Sequence, residues 1–184
     1  MNVLETKALE IFKVLDWKAQ RESRPDDAVL SLDDGDCELR AVVQIRQLPS
    51  EQKMGLSLSA GSKDISRIIG AIVGERASHE ILLQTRLEKR SPEIGLKEIE
   101  DISKEAIIWW RSQDNLAAIR ALTAPPPSTG LPQLMHLGAL AYLGDFNTLI
   151  DYQQIFQKGK RLNFVPMIKL EMIDRAIDIA VERA

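Results

Sequence analysis

The sequence predicts an α+β fold, a small antiparallel sheet with packed helices followed by a C-terminal three-helix subdomain. Three observations predict it. Apolar and polar residues alternate with period two on both sides of an Asp-Gly step at Gly35, which is how a half-buried hairpin reads. Stripes with helical spacing stand before and after that hairpin, and beyond Gly130 only helical periodicity remains.

Leu4, Ala8, Ile11, Phe12 and Leu15 form one apolar stripe and predict an amphipathic helix over 3–19. The polar stretch from Gln20 to Asp27, with Pro25 inside it, reads as a loop. Residues 28–32 and 37–46 read as strands flanking Asp33-Asp34-Gly35-Asp36, where Asp-Gly accepts the positive φ of a tight turn. In the second strand Cys37, Leu39, Ala41, Val43 and Ile45 make the apolar face. Leu48-Pro49 ends it, since proline cannot donate to a ladder, and 56–60 reads as a third short strand.

Ser62 is placed to cap a helix running to residue 74, with Ile65, Ile68, Ile69 and Ile72 on one side. Residues 80–89 alternate as a fourth strand would, a reading we favour over a continued helix, and Ser91-Pro92 breaks the element. A longer helix is expected from Leu96, turning Ile99, Ile102, Ala106 and Trp109 inward. Its stretch 106–110 is apolar on every side, which implies cover on more than one face. Asp114 can cap a short continuation through Leu122.

Three consecutive prolines between Ala124 and Gly130 make the expected internal boundary. The predicted organisation is therefore an α+β domain over 1–123, a connector over 124–130 and a helical subdomain over 131–184. Helices are expected at 131–143, 146–158 and 167–182. Gly144-Asp145 separates the first two, Gly159 stops the second, and Pro166 sits just inside the start of the third.

Composition narrows the function classes. At 184 residues, with 45% apolar and 28% charged side chains, the chain can bury a core without a metal or disulfide staple. The net charge of −3 comes from residues 1–60, which carry 8 basic and 11 acidic groups. A nucleic-acid partner calls for a basic stripe; the longest basic cluster is Lys158, Lys160 and Arg161, read as solvated charges at a helix end. No run approaches the ~20 apolar residues of a membrane span, and the N-terminal heptapeptide lacks the pattern of a signal peptide. The single cysteine, Cys37, suits a reducing compartment. The expectation is a cytoplasmic protein with neither nucleic acid nor membrane as partner.

Residues that can carry chemistry are few. His79 and His136 lack ligand-spaced partners, and His136, among Leu134, Leu137 and Ala139, reads as a satisfied structural histidine. Cys37 reads as a small buried hydrophobe rather than a nucleophile. Asp33 to Asp36 crowd one turn instead of spacing oxygen ligands for calcium. Glu98, Glu100, Asp101 and Glu105 share a helix with Lys97 and Lys104 and read as a solvated face, not paired catalytic acids. Gly70 and Gly74 have the spacing for close approach of their helix to the sheet, and neither belongs to a phosphate loop. No catalytic residue, cofactor site or metal site is therefore assigned.

The order helix, three strands, helix, strand, long helix over residues 3–122 resembles the α/β domain of type III secretion chaperones. That resemblance implies a non-enzymatic dimer that binds a partner chain and needs no cofactor. Residues 134–158, with Leu143-Gly144-Asp145 followed by Tyr152, resemble a single tetratricopeptide-like helical hairpin.

The leading expectation is a bacterial-type, cytosolic, non-enzymatic protein-binding module, chaperone-like or an adaptor. Trp110, Phe146, Tyr152 and Phe156 are its candidate partner contacts, since aromatic side chains anchor interfaces; the competing reading for each is a core position. Two alternatives stand beside it. One is an acidic immunity protein that neutralises a basic toxin, and the other is an enzyme whose site would set Glu or Asp beside His79 or His136 in a cleft.

Overall fold

The computed structural model describes residues 3–21, 28–75, 79–125 and 131–184. All but the first two residues of the loop expected over 20–27, and all but the first two of the connector, lie outside them. The fold class is α+β, and the chain divides into two compact units, Met1–Gly61 with Ile81–Gln113 and Ser62–Glu80 with Asp114–Ala184.

The first unit is a sheet with two helices. It contains α1 (Val3–Val14), β1 (Lys18–Arg21), β2 (Ala28–Asp34), β3 (Cys37–Gln47), β4 (Gln52–Ser62), β5 (Leu83–Ser91) and α3 (Leu96–Arg111), while α2 (Lys63–Val73) interrupts it in sequence. The strands form one antiparallel sheet in the order β1-β2-β3-β4-β5. Alternation decides which face is covered: Cys37, Leu39, Ala41, Val43 and Ile45 of β3 point into a core shared with α1 and α3.

The first helix stops earlier than its apolar stripe predicts. Asp16 takes φ 66°, and the chain turns there to send Trp17 into the core. The Trp17 ring packs edge-on against Phe12 at 5.7 Å and donates its Nε1–H to Ser103 Oγ on α3 at 2.8 Å. Burying a ring of this size contributes about 2–3 kcal/mol, provided its N–H finds a partner. Residues 18–21, expected as the end of the helix and the start of the loop, instead form β1, whose polar sequence carries no strand signal of its own.

The hairpin forms with Asp34 and Cys37 as its last pair, so the two loop residues are Gly35 and Asp36. Gly35 holds φ 65° at the first loop position, the pattern of a type II′ turn. Both flanking carboxylates are tied down. Lys18 Nζ donates to Asp33 at 2.8 Å, and Arg111, at the end of α3, grips Asp34 through Nε at 2.9 Å and Nη2 at 2.7 Å. The favoured strand near residue 83 is β5, displaced toward Ser91. On α3, Trp110 and Ala106 enter the core, but Ile108 is 67% exposed, so the all-apolar stretch is not covered on every side. The acidic residues of α3 serve structure: Glu98 accepts the Gly95 N–H at 3.0 Å and caps the helix, while Asp101 pairs with Lys89 at 3.2 Å.

The second unit is wholly helical: α2, α4 (Asn115–Ala121), α5 (Leu131–Tyr142), α6 (Phe146–Gln157) and α7 (Leu170–Arg183). The compact units therefore differ from the linear division expected around 124–130, because α2 and α4 join the C-terminal helices. The cause lies in the apolar face of α2, where Ile65, Ile68, Ile69 and Ile72 pack on α5 and α7. Close approach occurs at Gly138 of α5, where a Cβ would stand 2.6 Å from Ile69 Cγ1. Gly74 instead ends α2 with φ 82°, and Arg175 of α7 donates to the free Ile72 carbonyl there at 2.9 Å. These contacts lie within the helical unit.

The Ser62 and Asp114 caps form as their sequence positions predict, and so does the Asp145 cap, which accepts the Thr148 N–H at 3.2 Å. Pro166 does not start the last helix, which begins at Leu170. It lies in a loop that two side chains organise. Gln133, fully buried, donates to Asn163 O at 3.0 Å and accepts Val165 N–H at 2.8 Å. Arg161 donates to the carbonyls of Phe164, Val165 and Ile168. Arg161 is thus exposed, as expected, but braces the loop beyond the end of α6.

Candidate functional site

The four aromatic residues proposed as contacts have different fates. Trp110 is 7% exposed inside the core of the sheet unit, so its ring is consumed by folding and presents no surface. Phe146, Tyr152 and Phe156 are half-buried on α6 in the helical unit. Tyr152 and Phe156 both pack on Phe164, at 5.4 and 5.6 Å between ring centres, and the Arg161 guanidinium lies 5.2 Å over Phe156. The structure gathers two of the four around a residue, Phe164, that no sequence pattern singled out.

His136 completes this aromatic cluster and defines its chemistry. Its ring is 1% exposed, with Nδ1 2.8 Å from Leu122 O and Nε2 3.0 Å from the Tyr152 hydroxyl. A carbonyl oxygen can only accept, so Nδ1 carries the proton and Nε2 accepts from the Tyr152 O–H. Burial pushes the imidazole pKa down, against the opposing pull of the Leu122 and Ala124 carbonyls and the Asp145 charge. Burial likewise pushes the Tyr152 phenol up. Both groups are neutral at pH 7, and each is committed to the other. A protonated phenol is a poor nucleophile, so the arrangement braces α4, α5 and α6 instead of activating an attacking group.

The other surface with chemical character is the outer face of the sheet. Opposite the core, β3 presents Glu38, Arg40, Val42, Gln44 and Arg46, and β4–β5 present the facing pairs Lys53–Arg90, Gly55–Glu88, Ser57–Arg86 and Ser59–Gln84. Cations outnumber carboxylates on this face, although the chain as a whole is acidic. A shallow, open hollow of about 420 Å³ lies over β4 and β5, lined by Ser57, Leu58, Ser59, Gln84, Thr85 and Arg86.

Beside it, Gln44, Arg46, Lys53, Gly55 and Arg86 surround a second recess of about 30 Å³. Glu88 links two of its cations, receiving Lys53 at 2.8 Å and Arg86 at 3.2 Å. The hydrogen bond from Lys53 holds the Glu88 carboxyl below the usual range, with the charges of Lys53, Arg86 and Arg90 adding to it. β5 also forms one edge of the sheet, with no strand beyond it among the described residues. Sequence reasoning missed this face because its charges are dispersed over three strands. The one available signal was the polar half of each alternating pattern.

Cys37 lies buried in the core behind the hairpin. Among the described residues, no helix is long and apolar enough to cross a membrane. The model of a family of unknown function, DUF6990, matches residues 5–181. No curated protein and no solved structure matches the chain.

Proposed function

We propose a function from physical chemistry, because the chain belongs to DUF6990, a family whose description names none. The protein is a cytosolic, non-enzymatic binding module of the chaperone or adaptor kind. Its occupant is an extended acidic segment of a partner protein, laid along β5 and across the hollow beside it. The observation that carries this reading is the outer face itself: a nine-residue edge strand with no strand beyond it among the described residues, bordering an open hollow on a face where cations outnumber carboxylates.

An edge strand offers unpaired N–H and C=O groups that an extended chain satisfies by adding a strand. Arg86, Lys89 and Arg90 against the single Glu88 make β5 net basic. Pairing β5 with a second copy of itself would set like charges together, so the expected homodimer does not use this edge. An acidic strand meets the opposite balance and is favoured. An immunity protein acting as an acidic plug would use other surfaces, and the same measurement separates the two readings.

The test displays random peptides about as long as β5 to the full chain and maps the retained ones by amide hydrogen exchange. Acidic, β-prone sequences that slow exchange over 83–91 support the proposal. Retention of basic sequences, or protection confined to the helical unit, refutes it.

A further inference from the structure

We propose that Arg46, Lys53 and Arg86 form a subsite for one carboxylate, the side chain of an Asp or Glu in the docked segment. The inference rests on the binding reading above and names what that face selects.

Three cations line a recess that holds only a few atoms, and one internal carboxylate, Glu88, serves two of them. Arg46 pairs with no carboxylate among the described residues. Crowded like charges repel, so a further anion relieves the site and is drawn to it. The recess volume of about 30 Å³ suits two carboxylate oxygens entering from the open side. Guanidinium groups present paired N–H donors whose spacing matches a carboxylate, which an ammonium alone does not.

Gly55 is what lets the recess exist. A Cβ there would stand 3.1 Å from Arg86 Nη2 and 3.6 Å from its Nε. The Arg86 guanidinium thus stands close to the space a side chain at 55 would take. With a larger residue at 55 the guanidinium would have to give way at its closest atom, Nη2.

Acetate titrated into the isotopically labelled full chain, read from the side-chain Nε–Hε signals of Arg46 and Arg86, tests the subsite without any peptide. Saturable shifts are expected, with affinity reduced about threefold to tenfold in Arg46→Gln and in Lys53→Gln as charge-assisted hydrogen bonds are lost. Gly55→Ala keeps every charge, and a loss of similar size there marks the geometry as the cause. Identical shifts from chloride at matched ionic strength, or unchanged affinity in all three variants, would overturn the subsite. Because acetate reports the recess and hydrogen exchange reports β5, failure of one leaves the other outcome legible. A docked peptide that binds equally well with Glu or Gln at every position would refute the subsite while leaving strand addition intact.

Discussion

The two units use polar side chains in opposite ways. In the sheet unit the core is almost wholly apolar, and charge is displayed on an outer face where Arg46, Lys53, Arg86 and Arg90 stand exposed or half-exposed. In the helical unit polar groups go inside: Gln133 and His136 are buried, and each is satisfied by backbone or by another side chain. A buried polar group must spend its hydrogen bonds internally, so Gln133 and His136 are committed to the fold. Within the sheet unit, α1 and α3 cover one face of the sheet. The difference teaches that the richer polar network is the structural one, while the sheet unit keeps its charges at the surface.

Nature has labelled the units for this comparison. All three tryptophans, Trp17, Trp109 and Trp110, lie in the sheet unit, and both tyrosines, Tyr142 and Tyr152, in the helical one. Near-ultraviolet circular dichroism separates their bands, so unfolding of each unit has its own reporter. Coincident loss of both signals in every variant below would collapse the contrast.

The largest effect is expected at Gly138. Valine there drives atoms into Ile69, and overpacking at an interhelical contact costs about 3 kcal/mol. The tyrosine transition should move to lower denaturant while the tryptophan transition stays; unchanged stability would show that α2 and α5 have room to part. Next comes Gln133→Leu, which fills the same space but strands the Asn163 carbonyl and the Val165 N–H. A cost of about 2 kcal/mol, again in the tyrosine signal alone, follows from leaving buried groups unpaired.

Acid sharpens the contrast further. Burial lowers the His136 pKa in the folded state, so below its ordinary value near 6.5 the unfolded chain binds a proton that the native chain refuses. Stability of the helical unit should therefore be flat above that pH and fall as pH drops, by at most about 1.4 kcal/mol per unit. Urea titrations between neutrality and mild acid, compared with His136→Gln, check the sign. A pH slope that survives in the variant would assign it elsewhere.

The smallest effect belongs to the sheet unit. Asp34→Asn weakens the paired contacts from Arg111, an exposed arrangement, and should move only the tryptophan transition, and only slightly. Asp34 is held below the ordinary carboxylate range by the Arg111 hydrogen bond. Its contribution should persist through neutral pH and vanish only as acid protonates the native carboxylate.

Local signals were strong wherever one short stretch of chain supplies its own partner. The hairpin around Gly35, the caps at Ser62, Asp114 and Asp145, and the alternation that makes β3 and β5 strands all depend on neighbours in sequence, and the residue types declare them. That local information determined the fold class. Only the tertiary structure decided which pieces belong together. An apolar helical face shows that α2 is buried but not against what, so its packing on α5 and α7 could not be read in advance. The polar strand β1 exists because β2 offers it a ladder, and the end of α1 is where it is because Trp17 must reach Ser103. The recess at Gly55 belongs to the same class. Arg46, Lys53 and Arg86 are scattered along the chain, and what joins them is the antiparallel return of three strands, a property of register that no single segment encodes.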